Sequence, residues 1–286
     1  FLGITVGTFA ASINLVSNLF SPIETIGMEM ESMQEGISGM KRVNQFLNEE
    51  EEVQKENIEK KDLKENVPLI EIKNLSYHYD DSIELIFNDT SLIIQKGSQV
   101  AFQGRTGAGK TTLFRLLTGL VEPSSGSIKI CGIEAKKIPS SLKSELFGYV
   151  SQGFQKVPGT IKDQITLKDP SITQEQVEKA MKQVFLDDYV KNEIKGGYGQ
   201  KFEENLFSRG QLQLLSFARA IVKDPEILLL DEISANLDTD SEKKLLLAIQ
   251  NLKDKKTVLC ISHRLNEALS FSSVISVENQ KLNPQK

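Results

Sequence analysis

Gly104 to Thr112, GRTGAGKTT, constrains this chain more than any other stretch. An apolar run, Val100, Ala101 and Phe102, leads into it, and Leu113, Leu116 and Leu117 follow at helical spacing. A strand, a glycine-rich turn and a helix start form the setting in which a loop cradles phosphate. Gly104, Gly107 and Gly109 let the backbone turn its amides inward, with Arg105, Thr106 and Ala108 between them. The helix start adds positive potential. Lys110 is placed to reach β- and γ-phosphates, the Thr111 hydroxyl suits a magnesium ion, and Thr112 completes the cradle. Average residue usage gives a chance match on the order of one in a hundred. A plain glycine turn beside a solvated lysine is therefore the weaker reading.

Ile227 to Glu232, ILLLDE, reads as a buried parallel strand that ends in two acids. Ligands of open α/β sheets collect at that carboxyl edge. Asp231 is suited to holding magnesium through water, and Glu232 to polarising an attacking water as general base. Two acids after a strand are weak alone. With the glycine loop they imply a nucleoside triphosphatase, a class that includes small-molecule kinases, GTPases and helicases.

The surrounding pattern is α/β. Alternating residues from Leu69 to Tyr79 predict a half-buried strand, and further strands are expected at Ser91–Gln95, Ser98–Gln103, Leu146–Ser151, Ile227–Leu230 and Val258–Ile261. This rhythm predicts a parallel sheet flanked by helices, with an antiparallel sheet at its start and a helical subdomain over about 170–222. The formal net charge of -5 gives no footprint for nucleic acid. Cys131 and Cys260 are far apart and read as free thiols, and with two histidines and no Cys-x-x-Cys no zinc site is expected.

Further motifs choose among the triphosphatases. FSRGQ, Phe207 to Gln211, resembles the LSGGQ signature of the ABC ATPase family, and SANLD, Ser234 to Asp238, resembles its D-loop. Gln152 resembles the Q-loop glutamine, His263 in ISHR the switch histidine, and Tyr79 the aromatic that stacks on adenine. All occur in the family's order, and the likeness spans roughly Leu69 to Glu278. It implies a catalytic set of Glu232, Gln152 and His263, with Thr111, Asp231 and Gln152 about the metal. It implies ATP and Mg2+ as cofactors. It also implies that Ser208, Gly210 and Gln211 form an anion site serving the ATP of a second copy or a second, different half. Arg209 stands where the family usually has glycine, and Leu212 where many exporters have arginine. The bulk of Arg209 would hinder close approach to the partner's γ-phosphate and suggests two unequal sites in a heterodimer, with a homodimer as the alternative.

Phe1 to Ile23 carries no charged residue and is long enough to cross a bilayer as a helix. Ser12, Asn14, Ser17, Asn18 and Ser21 would face other helices or a wet cavity. A buried helix of a soluble protein and a signal peptide are the alternatives. Ile26, Met33, Met40 and Leu47 recur every seven residues and continue the helix. Fusion of such a helix to the ATPase resembles the exporter type. Residues 1–47 are thus expected to be the end of a membrane domain with lipid around 1–23, 48–67 a charged solvated linker, and 68–286 the nucleotide-binding domain. Exporter halves carry six such helices and one is visible, so the chain is expected to be a piece of a longer reading frame. The expected location is the cell membrane, with the ATPase in the cytoplasm. Rival readings are a soluble ABC ATPase outside transport, a small-molecule kinase, and a regulatory module that binds ATP without turnover. The transported substrate is not legible.

Overall fold

The computed structural model describes residues 5–48, 58–64, 66–79, 82, 84–233, 237–252, 255–261, 271 and 273–285. The chain divides into two compact units, Phe1–Gln54 and Lys55–Lys286.

The first unit is one helix, α1, Val6–Asn48. At 1.5 Å per residue it is about 65 Å long, twice the hydrocarbon thickness of a bilayer. Its uncharged stretch and its heptad stretch are therefore one continuous rod. Pro22 lies inside it, and no residue of it is buried. Phe9, Ile13, Val16 and Phe20 are all exposed. Among the described residues α1 is the one helix long and apolar enough to span a membrane, with a mean hydropathy of 1.2 over its most apolar window.

The second unit holds two sheets. Strands β1 (Ile70–Tyr77), β2 (Phe87–Ile94), β4 (Ser125–Ile130) and β5 (Ile133–Glu134) pair antiparallel in the order β2-β1-β4-β5. The other sheet contains β3 (Gln99–Gln103), β6 (Phe147–Val150), β7 (Ile227–Asp231), β8 (Thr257–Ile261), β9 (Ser273–Glu278) and β10 (Lys281–Gln285). Its order is β10-β9-β3-β8-β7-β6, parallel from β9 to β6, with β10 antiparallel at one edge. The helices are α2 (Lys110–Leu117), α3 (Ser140–Leu146), α4 (Ile161–Thr166), α5 (Gln174–Gln183), α6 (Arg209–Ile221) and α7 (Thr239–Gln250).

The predicted strands are present, with β2 beginning at Phe87 rather than Ser91. Strands β4, β5, β9 and β10 were not expected from sequence. Each lacks the apolar run that marks the central strands: β9 is punctuated by Ser273 and Ser276, and β10 carries Pro284, which an edge strand tolerates. Helix α6 starts three residues before Leu212, because Ser208 and Gln211 close a capping box at its start. Ile58 and Leu63 of the charged segment rest against the core while Lys60, Lys61 and Lys64 stay exposed. That part of the segment is therefore attached to the second unit, not a free tether.

Two apolar clusters flank the parallel sheet, and successive strand residues alternate between them. Leu228, Leu230, Val258 and Cys260 join the cluster under α4, α5 and α6. Ile227, Leu229, Leu259 and Ile261 join the one that contains α2 and the antiparallel sheet. A strand buried on both faces reads as an unbroken apolar run, which is why β7 and β8 were legible. Phe217 of α6 is fully buried in the first cluster. Phe217→Ala is expected to lower unfolding free energy by ~3–5 kcal/mol, measured by urea denaturation of the whole chain.

Candidate functional site: a phosphate loop beside a buried carboxylate

The loop from Gly104 to Gly109 joins β3 to α2, as the sequence predicts. Arg105, Thr106 and Gly107 are exposed, and Ala108 N donates to Arg105 O at 3.1 Å to close the turn. Gly109 caps α2 with φ at +97°, in the left-handed region. A Cβ there would also overlap Ile86 Cγ2 at the entry to β2. Gly109 thus serves both a backbone angle and a close approach.

Lys110 is 8% exposed. Its ammonium folds back over the loop, donating to Gly104 O at 2.7 Å and Arg105 O at 3.0 Å. An ammonium has three donors, so one remains for an anion above the loop. The hydroxyl of Thr111 donates to Asp231 Oδ1 at 3.4 Å. Asp231 ends β7 and is itself buried. Its other oxygen accepts from the Tyr149 hydroxyl at 3.0 Å. A hydroxyl and a carboxylate side by side are hard oxygen donors, the chemistry that fits Mg2+.

Glu232 leaves the sheet. Its φ is +51°, its amide donates to Ile261 O at 2.9 Å, and its side chain is exposed. A left-handed non-glycine residue costs backbone energy and clusters at functional positions. Tyr79 lies at the other end of the loop. Its hydroxyl is 3.1 Å from Thr112 Oγ1, and Arg115 Nη1 donates to it at 3.4 Å. Its ring meets Tyr77 edge-on.

Gln152 is exposed just after β6. It lines a cavity of about 290 Å³ with Phe154, Glu204, Arg209, Leu212 and Gln213. Among the described residues no hydrogen bond ties it to Thr111 or Asp231. His263 and Ser234, Ala235 and Asn236 lie outside the described residues. Asp238, the end of the same motif, caps α7 by accepting from Ser241 N at 2.9 Å.

Ser208 caps α6. Its Oγ accepts from Gln211 N at 3.1 Å, and its own amide donates to Gln211 Oε1 at 2.8 Å. Ser208 and Arg209 are exposed, whereas Gly210 is buried against α7. A Cβ on Gly210 would overlap the Ser241 side chain and come within 2.5 Å of Asp238 Oδ2. Behind this face α6 grips the segment after β6. Gln213 Nε2 donates to Ser151 O at 3.2 Å, Arg219 Nη1 to Gln155 O at 2.9 Å, and Arg219 Nε to Gln164 O at 2.5 Å. The Arg219 guanidinium also sits over the Phe154 ring.

Sequence reasoning missed Tyr149, Gln213 and Arg219. For Tyr149 a signal exists: it is a polar-tipped aromatic one residue before the end of β6, in register with the Asp231 strand once the two strands are paired. Gln213 and Arg219 look like ordinary helix residues and carry no such mark.

Residues 87–235 match the ABC transporter family. The chain belongs to that family. Its second unit holds the family's ATP-binding domain, which hydrolyses ATP. An ABC transporter ATP-binding protein of Bacillus subtilis, YwjA, is 35% identical over 281 residues, which is 98% of this chain and 48% of that one. A putative multidrug export ATP-binding/permease protein of Staphylococcus aureus is 32% identical over 279 residues, 96% of this chain and 48% of the other. Among solved structures, a bacterial Atm1-family ABC exporter with ATP bound is similar at a TM-score of 0.72 and 25% identity, over 97% of this chain and 49% of that one. The chain spans about half the length of the curated relatives it matches. These likenesses favour no reading outside transport.

Gly210→Ala is expected to lower unfolding free energy by about 1–3 kcal/mol through overpacking. Adding Ser241→Gly should recover part of the loss in the same denaturation measurement, because it removes the two Ser241 atoms the new methyl meets while Asp238 Oδ2 stays.

Proposed function

We propose that this chain is the C-terminal part of an ABC exporter half. In this reading α1 is its last membrane span with a cytosolic extension, and the second unit is its ATP-driven motor. The observation that carries the reading is the convergence at the loop: the Lys110 ammonium over the Gly104 and Arg105 carbonyls, with Thr111 and Asp231 at its side.

The residues divide the work. Tyr79 stacks on adenine, while the loop from Gly104 to Thr112 and the start of α2 hold the phosphates. Lys110 turns its remaining donor to the β- and γ-phosphates. Thr111 and Asp231 would hold Mg2+, and Gln152, on the loop after β6, would join them. Mg2+, when bound, neutralises charge on the transferring phosphate. Glu232 takes the proton of the attacking water, and His263 donates to the γ-phosphate in the manner of the family's switch histidine. The water attacks phosphorus, the bond to the β-phosphate oxygen breaks, and ADP leaves with phosphate.

A second half, identical or different, completes the site. The start of α6, with Ser208, the Gly210 amide and Gln211, is the anion-binding face offered to that half's ATP. ATP then holds two domains together, and hydrolysis lets them part, which drives transport through the membrane domain. The exposed apolar surface of α1 and the export relatives support a location in the membrane, with lipid against the uncharged stretch. The exposed Arg209 supports unequal sites, since its bulk stands on the face that meets the partner's nucleotide. Arg209→Gly in the assembled transporter is expected to raise turnover, and an unchanged rate would count against that role.

Glu232→Gln is expected to keep ATP binding and lower phosphate release by about 100-fold or more. Lys110→Ala is expected to weaken ATP binding roughly tenfold or more. Both are measured with purified chain by nucleotide titration and phosphate release. Retained binding and turnover in Lys110→Ala would sink the reading.

A further inference from the structure

Tyr149 belongs to none of the motifs that mark this site, yet its hydroxyl holds Asp231. Strand register puts it there. β6 and β7 run parallel with Tyr149 opposite Leu229 and Val150 opposite Leu230. Side chains of Tyr149, Leu229 and Asp231 therefore leave the sheet on one face. That is the face covered by α2: Leu229 lies in the cluster containing α2, and the Tyr149 ring meets Phe114 of α2 edge-on, centroids 6.4 Å apart. β6 is the outermost strand, so the ring is partly exposed along one side while its hydroxyl reaches inward.

The carboxylate of Asp231 is thus held from two sides, and the two contacts are unequal. The Thr111 contact to Oδ1 is 3.4 Å, at the weak end of hydrogen bonding. The Tyr149 contact to Oδ2 is 3.0 Å and comes from a ring fixed by packing. Burial and the Asp231 charge both push the Tyr149 phenol up from its ordinary value. Its donation offsets part of the cost of burying the carboxylate. It also occupies one oxygen and leaves the other facing Thr111.

We propose that Tyr149 is a positioning residue for the divalent cation: it locks the Asp231 carboxylate with Oδ1 toward Thr111 and thereby sets the Mg2+ affinity of the nucleotide site. The inference rests on the ATP-site reading above. Tyr149→Phe isolates the hydroxyl, because it keeps the ring and its contact with Phe114.

The test titrates the whole chain in detergent with a fluorescent ATP analogue, first in EDTA and then at stepped Mg2+. Tyr149→Phe is expected to leave metal-free affinity within about twofold, since Tyr79 and Lys110 are untouched, and to raise the Mg2+ half-saturation about three- to tenfold. In an Asp231→Asn background the same change is expected to add nothing. A Mg2+-responsive wild type with an unshifted Tyr149→Phe overturns the role of Tyr149 alone. Equal weakening with and without Mg2+ also overturns it, because the hydroxyl then serves the fold or the nucleotide. A wild type that binds nucleotide without any response to Mg2+ sinks the ATP-site reading itself.

Discussion

Strand β7 carries four apolar residues and then a carboxylate, and the register that buries the four decides where the carboxylate lies. Ile227 and Leu229 face the α2 cluster, Leu228 and Leu230 the cluster under α6, and Asp231 follows the odd positions. A shift of one residue would send Asp231 to the wrong face, away from Thr111. Each buried apolar side chain of β7 contributes roughly 1.5–3 kcal/mol to holding that register. The placement of one charge thus depends on hydrophobic burial across the whole sheet, and the phosphate loop is useful only because β3 joins the same sheet through β8.

The chemistry was legible where sequence and backbone demand coincide. Gly109 needs a left-handed angle and lacks space for a side chain, so the glycine in the sequence is a direct trace of the geometry. The central strands were legible for the same reason, since burial on both faces leaves an unbroken apolar run. Two later strands of that sheet were not: β9 lies inside it between β10 and β3 but is broken by Ser273 and Ser276, and β10 at the edge carries Pro284. Tyr149 escaped because its role is created by pairing between strands far apart in the chain. Ser208 was read as part of a signature, and the structure adds that it is also the N-cap of α6.

The two units present opposite physical problems. The second hides its apolar side chains in two clusters, one on each face of a sheet. Helix α1 of the first has no buried residue, and its large apolar side chains stand outward along it. A rod of that kind is stable only where hydrocarbon or neighbouring helices replace water around it. The start of the second unit is a compromise, with Ile58 and Leu63 docked while Lys60, Lys61 and Lys64 stay in solvent.

Arg219 gives α6 a mechanical property that its amphipathic pattern does not announce. One guanidinium bonds the carbonyls of Gln155 and Gln164 and lies on Phe154, while Gln213 one and a half turns earlier holds Ser151. The strip carrying Gln152 and the rod headed by Ser208 are consequently bolted at two points along their lengths. Under the reading proposed above, a displacement of the strip at Gln152 would be carried to Ser208 through these bonds rather than absorbed between the two.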